Sequence, residues 1–147
     1  MNILKEPNEL LHQVSEKVNL PLSKEDQDLL NEMFSYVKEH QDEAVGLSAV
    51  QVGVLKRMCA IRIKTSNGVI SYKLVNPQII KKSANTVEEE EGCLSLDGHY
   101  LVNRSATVSV MAYDAIQRKT IIINASGFLA RCLQHEIDHM NGILIKN

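Results

Sequence analysis

No excess of either charge marks this chain: 16 Lys and Arg stand against 18 Asp and Glu, a net charge of −2 at pH 7. Without a basic field, nothing in the composition argues for nucleic-acid binding. Long hydrophobic runs are missing too, none approaching the roughly 18–20 apolar residues of a membrane span. The opening Met1-Asn2-Ile3-Leu4-Lys5-Glu6-Pro7 lacks the apolar core of a signal peptide, so a cytoplasmic location is expected. Cysteine is scarce. Cys59, Cys93 and Cys132 are odd in number and widely spaced, which does not read as a disulfide framework and leaves reduced thiols, one of them a candidate metal ligand. No internal repeat or low-complexity linker interrupts the 147 residues, of which 44% are apolar and 23% charged. That length and balance fit one globular domain over residues 1–147 with a core of its own.

What is present falls into recognisable elements. Ser23, with Asp26 three residues on, marks a helix start. Leu29, Leu30, Met33, Phe34 and Val37 follow at helical spacing, predicting a helix over 23–40. A shorter helix is expected over 7–14. Strands are expected over 58–63 and 69–80, joined by the strong turn dipeptide Asn67-Gly68. A second hairpin is expected over 107–113 and 119–124, around Asp114-Ala115-Ile116-Gln117. Ser126 or Asn124 then caps a helix of about fourteen residues, stopped by Asn141-Gly142. Residues 143–145 suit a last short strand, and 88–91 read as a solvated acidic run. The class is α+β: antiparallel or mixed sheets around a C-terminal helix, with a helix near the N-terminus.

That C-terminal helix carries Gln134-His135-Glu136-Ile137-Asp138-His139, which contains H-E-x-x-H. Residues four apart share a helix face, their Cβ atoms about 5–6 Å apart. His135 and His139 can therefore grip one metal ion, while Glu136 is free to move a proton. Chance repetition of two histidines on a solvated face is the bland alternative. A catalytic site needs a third protein ligand and an open position. Cys93, in Glu91-Gly92-Cys93-Leu94-Ser95, is preferred because a loop ligand reaches the ion from a different direction than the helix does. Cys132, one turn before His135 and Glu136, is the competitor, and Cys59 reads as core filling. Residue types alone lead to a metallohydrolase.

Three separated stretches carry a closer likeness. Ala44-Val45-Gly46-Leu47-Ser48-Ala49-Val50-Gln51 is similar to G-x-G-x-A-A-x-Q, Glu91–Ser95 reads E-G-C-L-S, and Gln134–His139 reads Q-H-E-x-D-H. In their order and spacing the chain resembles the peptide deformylase family, over nearly its whole length. The resemblance implies a small α+β fold wrapped around the motif helix and one metal held by Cys93, His135 and His139. It implies Fe(II) as the usual ion, with zinc, nickel or cobalt found after purification. The implied reaction removes the formyl group from the N-terminal formyl-methionine of newly made polypeptides near the ribosome, releasing formate.

Roles follow from the same resemblance. Glu136 takes the proton of the attacking water and returns it to the leaving amine. The Gln51 side-chain amide and the Leu94 backbone N–H face the charge that develops on the formyl oxygen. Gly46 lets the substrate backbone come close, Val45, Leu94 and Cys132 line the methionine pocket, and Glu91 with Arg104 supports the cysteine loop. Asp138 helps to orient the surroundings of the motif helix. His12, His40 and His99 match no motif and are expected at the surface. Departures are Ala44 for glycine, Ser48 for alanine, Val50 for proline or threonine, Asp97 for proline, and Tyr100 near where many members carry a rim arginine. A paralogue with shifted substrate preference, a zinc peptidase and a metal-binding protein without turnover are the competing readings.

Overall fold

The computed structural model describes residues 1–146. Ser23 opens the first helix, α1 (Lys24–Glu39), with its hydroxyl accepting the Asp26 N–H at 3.1 Å. Leu30, Met33 and Val37 are buried from its inner face. The chain then makes a short strand, β1 (Gly46–Ser48), and a 3₁₀ turn over Ala49–Val52. β2 (Met58–Thr65) and β3 (Gly68–Lys82) form the hairpin that Asn67-Gly68 announces, with Gly68 at φ +131°. β4 (Thr86–Glu91) and β5 (Tyr100–Ser105) follow, then β6 (Thr107–Asp114), β7 (Lys119–Ser126) and α2 (Gly127–Met140).

All strand pairs are antiparallel. One sheet has the order β1-β2-β3-β6-β7, and β4-β5 make a second, two-stranded sheet. The buried Asp114 holds the second hairpin to its neighbour. Its carboxylate accepts from Ile116 N and Gln117 Nε2 in the turn and from Lys73 N on β3. α2 lays Ala130, Leu133, Ile137 and Met140 against Ile61, Val110 and Ile123 of the large sheet, forming one core. α1 covers a second core built with Leu47, Met58 and Val75. The α+β class stands. No helix among the described residues is long and apolar enough to cross a membrane.

Two expected elements differ. In place of a helix over 7–14 there is one 3₁₀ turn, Glu9–His12, because Asn8 caps Leu10 N from its side chain and Gln13 N closes on Leu10 O. Residues 143–145 form no strand. Ile143 N turns back to Asp138 O at 2.9 Å, and Leu144 is buried beside Leu11 and Leu96. Ser126, not Asn124, occupies the α2 cap position; Asn124 lies in β7, accepting the Ser109 hydroxyl. The run 88–91 is a strand, and Glu91 at its end is buried. The N-terminal segment crosses the molecule and ties two loops: Leu4 N donates to Gln51 O at 2.7 Å and Glu6 N to Ser95 O at 2.9 Å.

Candidate metal centre and active site

α2 is fixed along its length before it presents any chemistry. Gln134 brackets the β5–β6 junction, accepting from Ser105 N at 3.1 Å and donating to Ser105 O at 2.9 Å. One turn of helix then places His135 and His139 edge to face, ring centroids 4.9 Å apart. The loop after β4 brings Cys93 to them. Sγ of Cys93 and the Nε2 atoms of both histidines lie within 4.8 Å of one another. Sγ is 3.3 Å from His139 Nε2, and that nitrogen is 3.2 Å from His135 Nε2. Cys132 lies in the main core and takes no part in this cluster, so the choice between the two thiols goes to Cys93.

The donor set suits a divalent ion. Metal–nitrogen bonds of about 2.0–2.1 Å and metal–sulfur bonds of about 2.3 Å give tetrahedral edges of about 3.4 Å and 3.6 Å. The two edges that meet at His139 Nε2, 3.3 Å to Sγ and 3.2 Å to His135 Nε2, fall within a few tenths of an ångström of these. Two imidazole nitrogens at 3.2 Å cannot both turn bare lone pairs on each other; a proton or a cation belongs between them. His135 Nδ1–H donates to Glu91 Oε1 at 2.9 Å, which leaves Nε2 as the inward ligand atom. His139 Nδ1 is buried with no partner.

Glu91 anchors the layer behind. It accepts from Arg104 Nε and Nη2, both at 2.8 Å, from Arg131 Nη1 and from His135. Arg104 Nη1 also reaches Asp138 at 2.6 Å. Burial alone would push the Glu91 pKa up, but the hydrogen bonds from Arg104 and His135 hold it well below the usual carboxylate range. For His135, burial lowers the pKa, yet the Cys93 and Glu91 contacts outweigh it and raise it to about 10. Burial, and then the charge of His135, takes His139 down to about 3. Two rings held this close and shifted in opposite directions suit a single shared positive charge, which a divalent cation held by Cys93, His135 and His139 would supply.

Glu136 is 4% exposed, and burial pushes its pKa up despite the charge of His135 and the Ser48 hydroxyl. A carboxyl raised in this way takes and gives protons closer to neutrality. Two alternate residues of β1 seat it. The Ser48 hydroxyl lies 2.9 Å from Oε1 and 3.1 Å from the Glu136 carbonyl oxygen. At Gly46 a Cβ would stand 2.6 Å from Oε2, so the missing side chain is space that the carboxylate occupies. The resemblance gave Gly46 to the substrate backbone; in the structure the space above it belongs first to Glu136.

Gln51, 1% exposed, accepts Ser48 N at its Oε1 and directs its amide to Ser95 Oγ at 3.1 Å and to Cys93 Sγ at 3.6 Å. Val45, Gly46, Leu94 and Cys132 line one cavity of about 130 Å³ together with Gln51, Cys93, His135 and Glu136. That is smaller than the roughly 300–1,000 Å³ of sites that enclose a drug-sized ligand, and suits a single side chain. His139 lies behind it, 1% exposed. Burial and the charges of Glu136 and Glu91 raise the Cys132 thiol to about 12, so at neutral pH it is a neutral apolar wall. His99 is exposed and His12 pairs with Glu6 at the surface, while His40 is half-buried and stacks on Tyr36. Tyr100 donates its hydroxyl to Asp97 O instead of reaching over the cavity.

Sequence reasoning passed over Arg131, Phe128 and Glu89, which also line the cavity, and gave Ser48 no task. One signal was available for Arg131. An arginine between Ala130 and Cys132, on a face that is otherwise core, requires a buried partner.

The sequence model of the Polypeptide deformylase family matches residues 1–147. A peptide deformylase of Shouchella clausii (strain KSM-K16) is 35% identical over 158 residues, covering 97% of this chain and 86% of its own length. Among solved structures, peptide deformylase from Ehrlichia chaffeensis in complex with actinonin superposes with a TM-score of 0.89 at 34% identity, covering 99% of this chain and 86% of that one. PDF from the Vibrio parahaemolyticus bacteriophage VP16T, also in complex with actinonin, gives a TM-score of 0.85 at 36% identity, over 99% and 100% of the two chains.

Proposed function

The chain belongs to the peptide deformylase family, and we propose that Cys93, His135 and His139 form the metal centre at which it removes the formyl group from N-terminal formyl-methionine and releases formate. The observation that carries this reading is the convergence of one sulfur and two ring nitrogens within 4.8 Å, beside a buried carboxylate and a cavity sized for one side chain. A divalent ion held there supplies Lewis acidity and lowers the pKa of a coordinated water from 15.7 to about 7.

The chain's own residues do the rest. Glu136 takes the proton of the attacking water and hands it to the departing amine nitrogen, with Ser48 and Gly46 fixing the carboxylate for both transfers. As negative charge gathers on the formyl oxygen, the Gln51 amide and the Leu94 backbone N–H donate to it. The longer Gln51 contact, to Cys93 Sγ at 3.6 Å, is the one such an oxygen replaces. A donor of this kind is worth about 2.7–4 kcal/mol in the transition state. Val45 and Cys132 flank the methionine side chain. Glu91 holds His135 in its ligating tautomer, and Arg104, itself held by Asp138, holds Glu91 in turn. We assign Fe(II) as the resident ion, with zinc, nickel or cobalt able to replace it, and place the protein in the cytoplasm near the ribosome as one catalytic domain over residues 1–147.

Protein prepared without oxygen should release formate from formyl-Met-Ala-Ser. Glu136→Ala should keep its metal and lose about 10²–10⁴ in turnover, whereas Cys93→Ala should lose the metal. Correctly loaded protein that releases no formate refutes the reading.

A further inference from the structure

Arg131 is 7% exposed on the inner side of α2, and no step of the reaction uses it. Its guanidinium is nevertheless fully committed. Nη1 donates to Glu91 Oε2 and to Val102 O at 3.0 Å, Nη2 donates to Val87 O at 2.6 Å, and Nε lies 3.5 Å from Glu89 Oε2. Every one of these acceptors belongs to β4 or β5. One side chain of the helix therefore rivets the two-stranded sheet to α2. The same two elements face each other across the cavity, α2 contributing Phe128 and Cys132 and β4 contributing Glu89 and Glu91.

We propose that Arg131 is the specificity-determining residue of this pocket. Its planar fork holds the β4 wall at one distance from the α2 wall, so that a slim unbranched side chain such as methionine's enters and a broader one does not. This rests on the deformylase reading of the site and names what sets its choice of first residue. A guanidinium suits the task because its five donors lie in one rigid plane, whereas a lysine would offer a single mobile point charge. Without Arg131, Glu91 keeps both Arg104 bonds at 2.8 Å and the His135 contact, so no buried charge is stranded. The ties to Glu91 Oε2, to the Val87 and Val102 carbonyls and to Glu89 are what disappear.

The test compares formyl-Met-Ala-Ser with formyl-Phe-Ala-Ser in Arg131→Met, Arg131→Lys and Glu89→Gln. Arg131→Met keeps the straight stem and removes the donors; Glu89→Gln removes the charge of a half-open cavity-lining partner and keeps its shape. In Arg131→Met the Met-to-Phe ratio of kcat/KM, with rates expressed per bound metal, should fall about tenfold or more, through KM. Arg131→Lys should lie between, and Glu89→Gln should lower the ratio about twofold. A ratio unchanged in Arg131→Met, or an equal loss on both substrates, overturns the proposal; should that variant not fold, an unchanged ratio in Arg131→Lys does so. Calorimetric binding of the product peptides Met-Ala-Ser and Phe-Ala-Ser runs alongside and needs no turnover. If the parent protein releases no formate, the deformylase reading fails by itself, and these affinities decide whether Arg131 sets the pocket.

Discussion

Replacing Gly46 with alanine tests whether β1 is a seat for the base or a platform for substrate. The new Cβ would stand 2.6 Å from Glu136 Oε2, and ordinary contact begins at 3.4 Å, so about 0.8 Å must be found. The backbone has little to give, because Gly46 is paired with the fully buried Ile61 on β2. Its φ is not left-handed, so alanine brings no backbone strain and the contact alone is tested. The carboxylate must yield, and Ser48 already holds its other oxygen at 2.9 Å. A misplacement of about 1 Å can cost about a hundredfold in rate. We therefore expect kcat to fall about 30–100-fold, or about 2–2.7 kcal/mol of barrier. KM and metal content should hold, with initial rates of formate release measured across formyl-Met-Ala-Ser concentrations and the ion counted in the same samples. Metal-loaded Gly46→Ala with kcat within about threefold of the parent would refute the seat. A raised KM at unchanged kcat would return Gly46 to the substrate backbone.

Two further outcomes follow from Glu91. Glu91→Gln removes the carboxylate that orients His135, and a loss of about 10–100-fold in metal affinity is expected, measured by competition with a chelator. The second concerns acid. The folded pKa of Glu91 lies below its ordinary 4.5, so the folded state keeps it ionised where the unfolded chain takes up a proton. Its contribution to stability is complete above about pH 4.5 and drains away as the pH falls. Urea unfolding of metal-free protein between about pH 6 and pH 3 should show declining stability, with a flatter slope in Glu91→Gln; parallel slopes in the two proteins would count against the assignment.

Local chemistry explains which parts of the architecture could be read ahead. Ser23 and Asp26, Asn67-Gly68, and the apolar face of α2 each state their element within a few residues, and each is where it was expected. β4 could not be read in this way. Four consecutive glutamates show no alternation of apolar and polar residues, and what makes them a strand end is a pair of arginines, Arg104 and Arg131, 13 and 40 residues away from Glu91. β1 is only three residues long, below any periodicity. The site divides along the same line. Cysteine and histidine announce ligation by residue type, so Cys93, His135 and His139 were legible as a candidate set, and the fold brings the three within 4.8 Å. Ser48 and Arg131 are ordinary residues whose tasks exist only once Glu136 and the β4–β5 pair stand next to them.

The N-terminal segment ties the centre from the far end of the chain. Leu4 and Glu6 clasp the backbones that carry Gln51 and Ser95, while both histidines come from α2 near the other end. The clasp and the imidazoles are separated by about 130 residues of contour, so bringing them together closes a long loop at an entropic cost. A change that disturbs residues 3–6 would thus loosen the Gln51 and Ser95 backbones beside the Cys93, His135 and His139 cluster, without touching any of the three.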